Sequence, residues 1–224
     1  MADRPDGRVR TAHAVPSALW RRPVKVLRPR DATEVYARPR EQFARLARHG
    51  LLARLAPGYF ALVPPDRVGR EPAWMPPLTD AAWGVAAADY GVDNVAVCGP
   101  SAARHHGLIP RVFAVAFVAV PKQRPRLRIG RGEVRFAKRD VAGLDRERLR
   151  TVVGDGWVTT LEQTALDLAA RTDWDVAARD IEDALDAAVG RCDWDLLAEL
   201  AARQHRPSAL KRLRAVKATA DAVS

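Results

Sequence analysis

In DATEVYARPREQFARLARHGLLARLAPGYFALVP, residues 31–64, three local signals follow one another. Asp31 is placed to cap a short helical segment over 31–37, because its side chain accepts from the unpaired N–H groups of a first turn. Pro39 suits a first helical position, where the missing N–H has no partner to lose. The helix it opens runs to about His49 and stops at Gly50, a residue that tolerates the left-handed conformation. Phe43, Leu46 and Ala47 share one face of it at i, i+3, i+4 spacing. Arg38, Arg40, Gln42, Arg45, Arg48 and His49 make up its polar side. Residues 51–56 and 59–63 then read as a hairpin across Pro57-Gly58, an order that fits a type II turn.

Two short helices followed by a basic hairpin form the pattern of a winged helix-turn-helix, here over 16–64. Residues 16–20 supply its first helix and 24–27 its short first strand. In that pattern the second helix enters a DNA major groove, where Arg and Gln read base edges. Gln42 and Arg45 are then expected at bases, with Arg40 beside them, and Arg38, Arg48 and Arg54 at phosphates. The plainer reading is a small helical domain whose arginines are a solvated face.

Outward from this stretch, residues 1–15 have no apolar periodicity and read as a basic arm. Residues 65–77 are proline-rich and read as a stiff linker. The remainder, 78–224, is expected to be a second domain with a small sheet and a helical end, giving a mixed α+β chain. A helix is expected over 78–90, a short strand over 94–98 and a brief helix over 101–106. The run 111–120 is apolar on both faces and reads as a central strand. Beyond it, Arg126 and Arg128 alternate with Leu127 and Ile129, as on a half-exposed strand whose partner is 133–137. Arg124, Arg126, Arg128 and Arg131 are either a second nucleic-acid surface or a charged edge that blocks strand addition. From Trp157 onward the chain reads as helical. Thr159 and Glu162 have capping-box spacing. Helices are expected over 173–190, from Asp193, and over 207–223.

The 224-residue chain carries 37 Lys/Arg and 27 Asp/Glu, unevenly spread. Residues 1–70 hold 15 basic and 6 acidic side chains, 71–153 hold 13 and 8, and 154–224 hold 9 and 13. A basic front suits a polyanion, whereas the acidic rear would repel one. Asp180, Asp183 and Asp186, read as facing outward on the 173–190 helix, are therefore expected to form a face for a basic protein partner. Their plainer role is to solvate that helix. No apolar run is long enough to span a bilayer, and the first 15 residues lack a signal-peptide core, so a cytoplasmic protein is expected. Cys98 and Cys192, far apart and without a cysteine framework, read as free thiols.

No motif in the chain requires catalysis or a cofactor. Ser101 with His105-His106 offers a nucleophile and base but no orienting acid, and adjacent histidines on a helix diverge. No Cys/His spacing fits zinc, no glycine loop cradles phosphate, and Glu133 with Lys138 lacks the second carboxylate of a metal-dependent nuclease. The expectation is a binding protein without metal or cofactor.

RHGLLARLAPGYFALVP (48–64) resembles the end of the winged domain of AbiEi-type antitoxins of type IV toxin–antitoxin systems. CGPSAARHHGLI (98–109) is similar to a family segment through Ser101, Ala102, His106 and Gly107. VTTLEQTALDLA (158–169) is similar to another through Thr160, Thr164 and Asp167. The resemblance covers about 15–215, with a poorer match over 20–27. It implies a DNA-binding autoregulator, not an enzyme, that represses its own operon and counters a nucleotidyltransferase-like toxin encoded beside it. The alternatives are a stand-alone winged-helix regulator with a sensing C-terminal domain and, third, a nuclease.

Overall fold

The computed structural model describes residues 14–171 and 173–223. The expected basic arm falls almost wholly outside them. The order of elements starts with α1 (Ser17–Trp20), β1 (Val26–Leu27), a 3-10 turn (Pro29–Ala32), α2 (Pro39–Arg48), β2 (Leu52–Ala56) and β3 (Tyr59–Leu62). A second 3-10 turn (Pro65–Arg67) leads to α3 (Leu78–Tyr90), β4 (Ala96–Val97), α4 (Gly99–His105) and β5 (Val115–Val120). Then come β6 (Leu127–Ile129), β7 (Gly132–Lys138), β8 (Arg146–Thr151) and β9 (Gly154–Thr159). Four helices close the described chain: α5 (Leu161–Ala170), α6 (Ala178–Val189), α7 (Trp194–Arg203) and α8 (Pro207–Val223). The chain is mixed α+β, and among the described residues no helix is long and apolar enough to cross a membrane.

Two sheets are stacked on a common helix. The first is antiparallel, in the order β1-β3-β2. Its residues Leu27, Leu52, Phe60 and Leu62 pack on α1 and α2 through Leu19, Phe43 and Leu46. On the opposite face Val26, Ala53, Leu55 and Ala61 join the core around Trp83 of α3. The second sheet is mixed, in the order β6-β7-β5-β4-β9-β8. Along β5 the period-2 alternation sends Ala116, Val118 and Val120 to α3. Phe117 and Ala119 go to the other side, onto α4, α5 and the C-terminal helices. With α3 covered on both sides, seven consecutive residues, Ala81–Ala87, are buried.

Close backbone approach sets this stack. A Cβ on Gly84 of α3 would sit 2.4 Å from Val26 Cγ2, and one on Gly156 of β9 would sit 2.2 Å from Trp83. Lys25 also donates its backbone N–H to the Val153 carbonyl at the β8–β9 turn, at 2.7 Å. An ionic hub adds to the apolar contact. Asp89 of α3 accepts from Arg28, Arg124 and the Tyr59 hydroxyl (2.7 Å), with Arg30 at 3.5 Å. Burial first, and then the hydrogen bond to Asp89, push the Tyr59 phenol above its ordinary range and keep it a donor.

Several local expectations change. Asp31 does not start its turn: Pro29 takes the first position, and Asp31 reaches back to the Arg28 backbone N–H (3.2 Å) and guanidinium (2.7 Å). The segment therefore closes as a 3-10 turn rather than a helix over 31–37. The cap of α5 is Thr160, whose hydroxyl accepts from the Gln163 N–H, because Thr159 is the buried last residue of β9. Trp157 is likewise on a strand, not the start of the helical region.

Candidate nucleic-acid interface and partner face

The rotation of α2 follows from two buried side chains. Phe43 stacks edge-on against Phe60 at 5.4 Å and Tyr36 at 6.4 Å, and Leu46 fills the next turn. With that face inward, Arg40, Glu41, Ala44 and Arg48 are exposed, and so are Arg38 just before the helix and Arg54 on β2. Arg38 lies 3.5 Å from Glu41 in an exposed pair, an arrangement that contributes little stability and leaves the arginine free to exchange partners. Gln42 and Arg45 are only half-exposed. Gln42 Oε1 and Arg45 Nε are buried atoms with no hydrogen-bond partner. Unmatched polar atoms of this kind cost about 1–3 kcal/mol each until something satisfies them.

Arg30 was not among the residues expected at DNA. It stands on the 3-10 turn with 71% of its side chain exposed. A concavity of about 270 Å³ is lined by Arg30, Thr33, Arg38, Arg40 and one carboxylate, Glu41. A neighbouring one of about 260 Å³ is lined by Arg28, Arg30, Arg40 and the Pro57-Gly58 hairpin tip. Thus the turn, the start of α2 and the hairpin converge on a basic groove. Arg30 lay just outside the stretch that carried the helix signal, and only the turn's fold brings it to Arg40.

The second basic strip is divided. Arg126, Arg128 and Arg131 are exposed on β6 and its turn, at the edge of the six-stranded sheet, with Arg126 3.7 Å from Glu133. This edge neighbours β2 of the first sheet. Arg124 leaves the strip: it is turned inward to Asp89 and lies 4.2 Å over the Phe136 ring.

The acidic face is also rearranged. Asp180 is buried, contrary to its expected outward orientation, and lies 3.3 Å from Arg111. It belongs to the inward stripe of α6 with Ala184 and Ala188, one and two turns on. Glu182, Asp183 and Asp186 remain exposed, Asp183 within 3.8 Å of Arg179.

Most polar residues that carried the family resemblance are pegs in the core. The Ser101 hydroxyl is buried and accepts from the Phe117 N–H at 2.9 Å. Thr164 bonds the Thr159 hydroxyl at 2.7 Å, and Thr160 donates to Asp145 at 2.7 Å. Asp167 is 1% exposed and takes Arg139 (2.9 Å) and Arg206 (2.8 Å) on one oxygen, with Gln163 at 3.1 Å. Neither Ser101 nor His106 is poised for nucleophilic chemistry, since His106 Nε2 is held by the Thr159 carbonyl at 2.7 Å. Burial pushes the thiols of Cys98 and Cys192 up to about 12, which keeps both protonated at neutral pH.

A family model for the AbiEi antitoxin C-terminal domain matches residues 95–216, which run from β4 into α8. A search of curated proteins returns no significant match. Among solved structures, the crystal structure of the RV2827C protein from Mycobacterium tuberculosis is similar in fold. It superposes with a TM-score of 0.60 at 21% identity, covering 93% of this chain and 78% of that one.

Proposed function

Because the chain belongs to the AbiEi antitoxin family, we propose that it represses its own operon by binding DNA and counters a nucleotidyltransferase-like toxin encoded beside it, without being an enzyme. We read the N-terminal unit as a winged helix. Support comes from the order helix, strand, turn, helix, hairpin, with the first strand closing on the second hairpin strand. The observation that carries the DNA reading is the exposure of Arg38 just before α2 and of Arg40 and Arg48 on it, beside Arg30 and the hairpin arginine Arg54. The unpartnered Gln42 Oε1 and Arg45 Nε are buried, so DNA would reach them only after a change of rotamer. The half-burial of Gln42 and Arg45 shifts weight from these two residues to Arg40 and Arg48 for first contact. The exposed carboxylates of α6 and the basic groove belong to different elements, which supports a division of labour between DNA and toxin.

A gel shift against the protein's own promoter tests this. Each good bidentate base contact is worth about 1–3 kcal/mol, so Arg40→Ala should weaken specific binding roughly 5- to 150-fold, whereas Arg48→Ala, expected at a phosphate, should weaken specific and non-specific binding together. Arg54→Ala should weaken specific and non-specific binding together, lowering the log–log salt slope by about one unit. An unchanged shift for the double variant Arg40→Ala, Arg48→Ala would remove α2 from DNA recognition.

A further inference from the structure

We propose a divalent transition-metal site formed by His105, His106 and Glu147, separate from both the basic groove and the acidic α6 face. Adjacent histidines on a continuous helix would diverge. Here α4 ends at His105, and His106 is the residue past its end, with φ −76° and ψ 1°. Both rings therefore turn toward the same strand. His105 Nε2 lies 3.7 Å and His106 Nδ1 3.9 Å from the same Glu147 oxygen, and the three ligand atoms are all within 4.8 Å of one another.

The tautomer of His106 is fixed by its other contact. Its Nε2 faces the Thr159 carbonyl at 2.7 Å, and a carbonyl can only accept, so Nε2 carries the proton. In the neutral ring His106 Nδ1 then carries the lone pair, and it faces the Glu147 carboxylate at 3.9 Å. Such an N–H to carbonyl bond on the far ring nitrogen is the usual support of a metal-ligating histidine. The site brings two imidazole nitrogens and a carboxylate oxygen within 4.8 Å of one another, a donor set that a cation would satisfy.

The surroundings suit this. Strand alternation puts Arg146 and Arg148 on the opposite face of β8 from Glu147. There they lie over the Trp157 ring at 5.0 and 4.1 Å. Zinc takes nitrogen and oxygen at about 2.0–2.2 Å in tetrahedral geometry, which needs ligand atoms roughly 3.4 Å apart. The partly exposed His105 and Glu147 need small rotations to reach that spacing, while His106, 9% exposed, is already fixed. Two imidazoles and one carboxylate select zinc and its first-row neighbours over magnesium or calcium. A bound ion would tie the end of α4 to the outer hairpin β8–β9.

The test is calorimetric titration of the tag-free full-length protein with Zn²⁺ alone, repeated on His105→Ala, Glu147→Gln and Cys192→Ser. The wild type and Cys192→Ser should bind one ion alike and gain thermal stability with it. His105→Ala and Glu147→Gln should stay folded by circular dichroism but lose at least about tenfold in affinity, and Co²⁺ should give a tetrahedral spectrum without a thiolate band. No binding by the wild type, equal binding by the His105 and Glu147 variants, or a thiolate band would each overturn the site.

Discussion

Asp167→Ala is expected to destabilise the protein by about 3–5 kcal/mol, the cost of removing one partner from a buried ion pair. The carboxylate is 1% exposed and holds two guanidinium groups from distant parts of the chain on a single oxygen. Arg139 follows β7, and Arg206 immediately precedes α8. Without Asp167 these two cations would share a poorly hydrated space with Gln163 and no counter-charge. At roughly 2–4 °C per kcal/mol for a chain of this size, Tm should fall by about 6–20 °C. Asp167→Asn should fall less, since it keeps an acceptor. Thermal unfolding followed by circular dichroism measures both, and an unchanged Tm in the alanine variant would mean that water already screens the pairs.

Asp89→Ala should cost a similar amount, about 3–5 kcal/mol by the same reasoning, but in a different place. Its side chain is 13% exposed and gathers Arg28 from just before the 3-10 turn, Tyr59 from β3 and Arg124 from the loop before β6. Arg28 also holds Asp31, so losing Asp89 disturbs the turn that presents Arg30 to the basic groove. Hydrogen exchange should rise mainly in β1, β2 and β3, whereas α5 and α8 keep their protection. In Asp167→Ala the pattern should reverse. Equal loss of protection throughout the chain in both variants would show one cooperative unit in which neither hub is local.

The parts of the fold that local signals could reveal were those whose period matched their burial. Helix α2, its hairpin, α3, the central strand β5, the β6–β7 hairpin and the helical end all carried such signals. The hairpin of β8 and β9 did not. β8, RERLRT, is an edge strand with Leu149 as its buried hydrophobic residue, so its composition reads as a charged loop. β9, GDGWVT, carries two glycines that lower strand propensity, and Gly156 is there because the Trp83 ring lies against its backbone. That reason exists only in the tertiary structure. Asp180 lies on the inward stripe by spacing, but its charge points to solvent until its partner Arg111, 69 residues earlier in the chain, is known. Of the proposed interface, the outward position of Arg40 and Arg48 on α2 was legible from spacing. Arg30's approach to Arg40, Arg124's retreat to Asp89 and the convergence of the two histidines on Glu147 depend on folded neighbours.

The central claim, an antitoxin whose DNA-binding and toxin-countering surfaces are separate, is tested most directly by growth rescue. Point variants are needed: deleting 1–70 would strip Val26, Leu55 and Ala61 from the core around Trp83 and confound loss of function with loss of fold. The neighbouring toxin is expressed with this chain from an unrelated promoter, either as wild type, as Arg40→Ala, Arg48→Ala, Arg54→Ala, or as Glu182→Gln, Asp183→Asn, Asp186→Asn. The account predicts rescue by the wild type and by the arginine variant, and failure by the acidic-face variant despite normal folding. Absence of rescue by the folded wild-type chain, or full rescue by the acidic-face variant, would contradict it.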